Sequence, residues 1–534
     1  MKKTRLFLAL FLTLVAVFGL IACGDNNALS GEANEWGYTP VRISYASVQG
    51  REGWDYTRGD AFARFHSERF NYELEFAALN WDNWAERLRI WISSMDMPDV
   101  AVYDYNHTDA ASYVEQGLVY RFPDNWQERW PNAARFYNLT SLGPMLDELF
   151  GGTYFYPRAR FADNLPGDPL QNHYAMWFRK DWMEAVGFPI KSTYTIPEIL
   201  DFARLIKQHD PGNVGMGLLP ITGSPGLMAN LFLQHNSTHY NTFYWDPVDR
   251  AYKWGAANPR TLEGLRFWYT AFSEGLLDAE FYLMNIGHET EKFNLTQQAA
   301  SYLEGHPTGT GQTRRRNFER DTGGLNGDDH IHSATVLGSD GYYHQRDLIN
   351  YWGAIIFSPT VSTEVFERWM DLMDFRSTRE GYLISQMGLL GEDWDYGPGG
   401  NPVSLNPPGF VLSGAPGVGK YSSMGYILGT TLLNDDFSFD NPNIDEIYRE
   451  ESRMLYRERA LYSTPETFPR VDWTLFTYDS PNMRRANFDY TMEFANMVTN
   501  ATSMAHLEQL YNNWINGQMG IIQPVLNELN ALRR

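Results

Sequence analysis

Apolar positions along the first hundred or so residues alternate between two periods. Val41 to Ala46 repeats every second residue, the spacing of a strand with one face buried. Ala61 to Phe70 places Phe62, Phe65 and Phe70 on a helical face, and Tyr72 to Ala78 returns to alternation. Trp84, Leu88, Trp91 and Ile92 define a second helix, Val100 to Tyr103 a third strand, and Ala110 to Gln116 a short helix. Strands alternating with helices predict a parallel sheet covered on both faces. Ligands of such sheets gather beyond the carboxyl ends of the strands, here Ser47 to Trp54, Asn80-Trp81 and Asp104-Tyr105-Asn106.

A second set starts near Tyr174. Tyr174 to Phe178 is an apolar run of strand length, and Arg179-Lys180-Asp181 opens a helix that Gly187 closes. Thr195-Ile196-Pro197-Glu198 is a capping box, with Pro197 in the first turn, where its missing N–H costs nothing. Ile199, Leu200, Ala203 and Ile206 share one stripe, which stops at Asp210-Pro211-Gly212. The whole segment, YAMWFRKDWMEAVGFPIKSTYTIPEILDFARLIKQHDP, resembles one found in bacterial extracellular solute-binding proteins, the capture subunits of carbohydrate ABC importers. LRIWISSMDMPDVAV (88–102), TLEGLRFWYTAFSEGLLDAE (261–280) and GLLGEDWDYG (388–397) are similar to further patches of that family, in the same order.

The resemblance implies a two-lobe α/β fold of the periplasmic-binding-protein type, with a parallel or mixed sheet in each lobe and a hinge of crossing strands. Gly151-Gly152-Thr153 and Tyr154 to Pro157 are the first crossing expected; Phe293 to Tyr302 looks like a return to lobe one, and Asn350 to Phe357 like a crossing back. Lobe one would then be 37–157 plus 298–345, and lobe two 158–297 plus 346–534. The family's inter-lobe cleft would be lined by Trp54, Trp81, Asp104, Tyr105, Arg158 and Arg160 on one side, faced by Trp352 and Trp394 on the other. Each aromatic there has core packing as its plain alternative, and the two arginines have salt bridging, against hydrogen bonds to sugar hydroxyls or a uronate. The function implied is capture of an oligosaccharide and its delivery to ABC transporter permease subunits, with no catalytic residue, cofactor or metal.

The N-terminus adds an address. Lys2, Lys3 and Arg5 precede an apolar run from Leu6 to Ala22, a signal-peptide layout. It ends Leu20-Ile21-Ala22-Cys23, which resembles the lipoprotein box, so 1–22 would be removed and Cys23 lipidated, with 23–36 as tether. The protein would sit lipid-anchored on the extracytoplasmic face of the cell membrane. Cys23 is the sole cysteine, which excludes intrachain disulfides and cysteine-based catalysis or metal sites after lipidation. Net charge is −22, and three more negative once Lys2, Lys3 and Arg5 leave. Such a surface repels nucleic acid and anionic lipid. The 17 Trp and 32 Tyr suit sugar binding, because aromatic planes stack on the C–H faces of sugar rings, although large cores use aromatics too.

Four motifs hint at other chemistry. Gly414 to Lys420 matches a phosphate-cradling loop, but the next residue is Tyr421 where magnesium needs Ser or Thr. Glu392, Asp393 and Asp395 beside Trp394 carry the competing reading, an exported glycosidase. A third reading is a surface adhesion lipoprotein. His330-Ile331-His332 lacks any metal-binding context, and the Asp210 to Asn213 loop is too short to hold calcium.

Overall fold

The computed structural model describes residues 29–533 apart from 49, 51, 81–82, 106, 140, 160–173, 307–308, 347–350, 415 and 426–439. Cys23 and the leader lie outside the described residues. No described helix is long and apolar enough to cross a membrane.

Strands run in chain order as β1 (Val41–Ser47), β2 (Tyr72–Ala78), β3 (Val100–Tyr103), β4 (Tyr156–Ala159), β5 (Tyr174–Arg179), β6 (Thr193–Thr195), β7 (Phe243–Asp246), β8 (Ala251–Trp254), β9 (Ser301–Gly305), β10 (Ile331–Leu337), β11 (Tyr351–Phe357), β12 (Trp394–Tyr396) and β13 (Pro402–Ser404). Two main sheets result, in the orders β2-β1-β3-β11-β4 and β6-β10-β5-β9. In the first, β1 is parallel to β2 and β3, as the alternating pattern predicts. β11 then runs antiparallel to both β3 and β4, so the sheet is mixed. In the second, only the β6–β10 pair is parallel.

Local signals account for the helix boundaries. The helix Ala61–Phe70 begins where the Asp60 carboxylate accepts from the Ala63 N–H, and stops at Asn71 in the left-handed conformation. The helix Ile196–His209 carries both halves of its capping box: Glu198 N–H donates to Thr195 Oγ1 at 3.4 Å, and Thr195 N–H donates to Glu198 Oε2 at 2.9 Å. At its far end Asp210 turns left-handed and its carboxylate accepts from the Val214 and Gly215 amides.

Each main sheet has its own core. The first contains Ile43, Tyr45, Leu88 and Val102 together with Ile355, Phe366 and Trp369. The second contains Phe178, Ile199, Leu265, Leu303 and Val336, closed by Phe494, Leu507 and Val525 from the helices Tyr490–Asn500 and Met504–Leu532. Lobe membership therefore differs from the expectation. Residues 301–305 and 331–337 belong to the second lobe, because β9 and β10 pair with β5 on either side. Residues 351–376 belong to the first, where β11 fills the gap between β3 and β4. Phe293 to Tyr302 thus makes no return to lobe one, and the chain passes between lobes after β4, after β10 and after β13. β11 holds a bulge between Tyr351 and Ala354; Gly353 sits there at φ 66°, where a Cβ would come within 3.0 Å of the Tyr103 carbonyl.

Candidate functional site

The first lobe's contribution to the inter-lobe gap follows from strand direction. β3 ends at Tyr103, and Asp104, Tyr105 and the helix His107–Glu115 lie just beyond its carboxyl end. Asp104 is reached by water yet closely surrounded by protein, and desolvation raises its carboxyl above the usual range. Tyr105 stacks on Phe476, ring centroids 5.8 Å apart and planes 19° apart, and its hydroxyl lies 3.0 Å from His107 Nδ1. Burial lowers the His107 imidazole, against the opposing pull of the Asp479 charge. Residues 476–479 thus press on the lobe-one rim.

Two adjoining cavities open along this contact. One, of about 280 Å³, lies between Asp109 and Ser112 of lobe one and Asn241, Met483, Arg484 and Tyr490. The other, of about 430 Å³, is lined by Tyr244, Trp245, Phe476, Arg346, Arg470 and Asp472. Thr242, Phe243 and Met483 form the wall they share.

The β7–β8 hairpin supplies the aromatic side of the larger cavity. Phe243 points into the core, and Tyr244, Trp245 and Asp246 are each partly exposed. Tyr244 is held by a parallel stack on His239 at 4.7 Å and by Asn258 Nδ2, which donates to its hydroxyl at 3.1 Å. Trp245 packs edge-on to Tyr252 at 5.3 Å and carries the Arg533 guanidinium over its ring at 4.6 Å. Asp472 accepts from Tyr252 at 2.8 Å and from Arg533 at 3.1 Å, so its charge is spoken for. Burial, aided by the Arg346 charge, pushes the His239 imidazole down to about 3, so the ring stacked on Tyr244 is neutral at ordinary pH. Rings held by neighbours before a ligand arrives lose little freedom on binding one.

Of the residues singled out from sequence, Asp104 and Tyr105 stand at the gap. Trp54 is only partly buried and packs against the first core, its Nε1 buried and without a hydrogen-bond partner among the described residues. Arg158 is 2 % exposed within β4, out of reach of a ligand in this conformation. Trp81, Arg160 and the Trp352 side chain lie outside the described residues. Trp394 is a correction: it is fully buried in a satellite core with Phe62, Leu383, Leu412 and Tyr421, and its Nε1 donates to the Gly388 carbonyl at 2.9 Å. It is a core tryptophan and no sugar platform. Of the carboxylates beside it, Glu392 and Asp395 are exposed and Asp393 is structural. Asp393 is fully buried, paired with Lys420 Nζ at 2.6 Å and accepting from the Tyr421 hydroxyl at 2.7 Å and the Leu389 amide at 2.8 Å. A carboxylate so enclosed neither protonates a leaving group nor activates water, so Asp393 cannot take the part the glycosidase reading gives it. The phosphate-loop look-alike is the same device seen from the other strand: its lysine is the Asp393 partner, and Gly414 and Gly419 pack backbone to backbone.

Sequence reasoning missed Tyr244, Trp245, Arg346, Phe476 and Asp472. One signal was available, since three consecutive aromatics in a strand, Phe243 to Trp245, cannot all face one core.

No protein-family model matches the sequence, and no curated protein sequence matches it. Solved structures do. The alginate-binding protein AlgQ2, without calcium ion, aligns at TM-score 0.65 and 15% identity over 94% of this chain and 99% of its own. The FusA substrate-binding protein of an S. pneumoniae ABC transporter, an EF-hand mutant in complex with fructo-nystose, aligns at TM-score 0.62 and 14% identity, over 92% of this chain and 98% of its own. The N-glycan transport solute-binding protein NgtS of Streptococcus pneumoniae, with Man5GlcNAc, aligns at 0.57 and 12%, over 92% and 97%. The fold is that of a two-lobe solute-binding protein. At these identities the likeness concerns the fold, and it spans nearly the whole chain. The two cavities lie beside the ring contact between the lobes.

Proposed function

We propose that this chain captures an oligosaccharide between its lobes and hands it to the permease subunits of an ABC importer. It would work outside the cytoplasmic membrane, tethered by lipid on Cys23. The observation that carries the reading is the larger cavity: Tyr244, Trp245 and Phe476 present partly exposed rings at the inter-lobe gap of a solute-binding fold. Rings of this kind suit the apolar faces of pyranoses, and the surrounding Asp, Asn and Thr side chains suit their hydroxyls. The solved proteins that share the fold are named for carbohydrate ligands, which supports the same class here.

Titration calorimetry across a panel of plant, microbial and host oligosaccharides tests it. Binding without turnover is expected, and Trp245→Ala should weaken it by about 1–3 kcal/mol, the range for loss of one stacking platform. Release of shorter sugars by the purified protein, or unchanged affinity in Trp245→Ala, would count against this reading.

A further inference from the structure

Arg346 differs from the chain's ion-paired arginines. With 65 acidic residues to 43 basic ones, arginines here readily find carboxylates: Arg179 pairs with Asp181, Arg315 with Glu451, Arg533 with Asp472. Arg346 lines the larger cavity, and among the described residues no carboxylate or hydrogen-bond acceptor engages it. Its surroundings are the neutral imidazole of His239 and the Tyr240 ring. Arg346 is partly exposed to the cavity, and burial of the rest of its side chain lowers its guanidinium below the usual arginine range. Arginine stays charged regardless, and an anion entering the cavity would give it the partner that Arg179, Arg315 and Arg533 already have. Arg470 stands on the same cavity's wall and adds a second positive charge, whereas Asp472, the acidic group nearby, is already engaged by Tyr252 and Arg533.

We infer that the cavity's ligand carries a carboxylate and that Arg346 receives it, so that the captured oligosaccharide contains a uronic acid. This rests on the carbohydrate reading above and narrows it. A guanidinium offers two parallel N–H donors to a carboxylate, a fork that a hydroxyl cannot match. Neighbouring rings of the same ligand then lie against Trp245 and Tyr244, so charge and stacking come from one wall. The protein's overall negative charge works against any anion at long range, which makes a local arginine, Arg346, the means of accepting one.

The test compares tetrasaccharides of galacturonic, glucuronic and mannuronic acid with their carboxyl-reduced, neutral counterparts, by calorimetry on the full mature chain. At least one uronate is expected to bind, and its reduced form to bind about 10- to 100-fold more weakly, the range for loss of a charge-assisted pair. Arg346→Gln should lose the same factor for the uronate and nothing for the reduced sugar. Arg346→Lys should recover part of it. Arg346→Gln should also melt no lower than the parent, because it discards a partly buried charge that no carboxylate among the described residues pairs, which separates lost recognition from lost folding. Equal or tighter binding of a neutral sugar, or unchanged uronate affinity in Arg346→Gln, overturns the inference and leaves the carbohydrate reading standing. Binding of no sugar in either series overturns both.

Discussion

Glu451 shows how much one carboxylate can organise. It sits on the helix Glu446–Leu461 and reaches the back of the second sheet, where Arg315 donates to it at 2.7 and 3.0 Å and Ser333 Oγ at 2.7 Å. Burial alone would raise its pKa, but His306 and Arg315 win, and hold the carboxyl far below the glutamate value of 4.5. A carboxyl depressed on folding contributes stability above its unfolded pKa and loses it as pH falls through the lower folded one. Urea melts of the parent should therefore weaken below about pH 4.5, while Glu451→Gln should be weaker at pH 7 by about 3–5 kcal/mol, the cost of stranding a buried arginine, and flatter towards acid. A parent whose stability is level from pH 7 to 3 would refute this account. The same scale explains which site residues could be read beforehand. The position of Asp104 and Tyr105 beyond β3 was legible because strand direction fixes it. Trp394 and Trp245 were not distinguishable by type; what separates them is Gly388 and Leu412 closing over one, and a hairpin holding the other at a gap. Arg346 left no trace in the sequence, since its distinction is the lack of a partner.

Among elements, caps and periodicity were the most readable features. The helices Ala61–Phe70 and Ile196–His209 begin and end at the residues their caps predict, and β1, β2 and β3 fall where alternation puts them. Thr195→Ala should cost about 1 kcal/mol in a urea melt, the usual value of an N-cap, and Glu198→Ala should add little to it because the two bonds form one reciprocal unit. Additive losses would show that the caps act independently. Sheet membership was the unreadable feature. Ser301 to Leu303 and Tyr351 to Phe357 are both short apolar runs, and nothing local says which lobe a strand will join. The family pattern suggested an order for them, and hydrogen bonding to β5 in one case and to β3 and β4 in the other reversed it.

For the whole molecule, the ring contacts of Tyr105 and His107 with Phe476 are among the points where the lobes already touch. A hinge at the crossings would swing about such contacts, so adding a bound oligosaccharide should shrink the radius of gyration in X-ray scattering and raise the melting temperature. A higher melting temperature with no compaction would mean a fixed groove. The interleaving of the lobes has a further consequence, for the order in which the chain can fold as it is made. The sheet of lobe one lacks its fourth member until residue 357 has been synthesised, and its core lacks Trp369 a little longer. Lobe two waits for Leu507 and Val525. For most of its synthesis the growing chain therefore shows β3 and β4 with open edges, the state in which strands pair wrongly. A polypeptide that cannot finish either half early also stays unfolded for longer, and on the export route proposed above that delay would suit threading through a membrane pore.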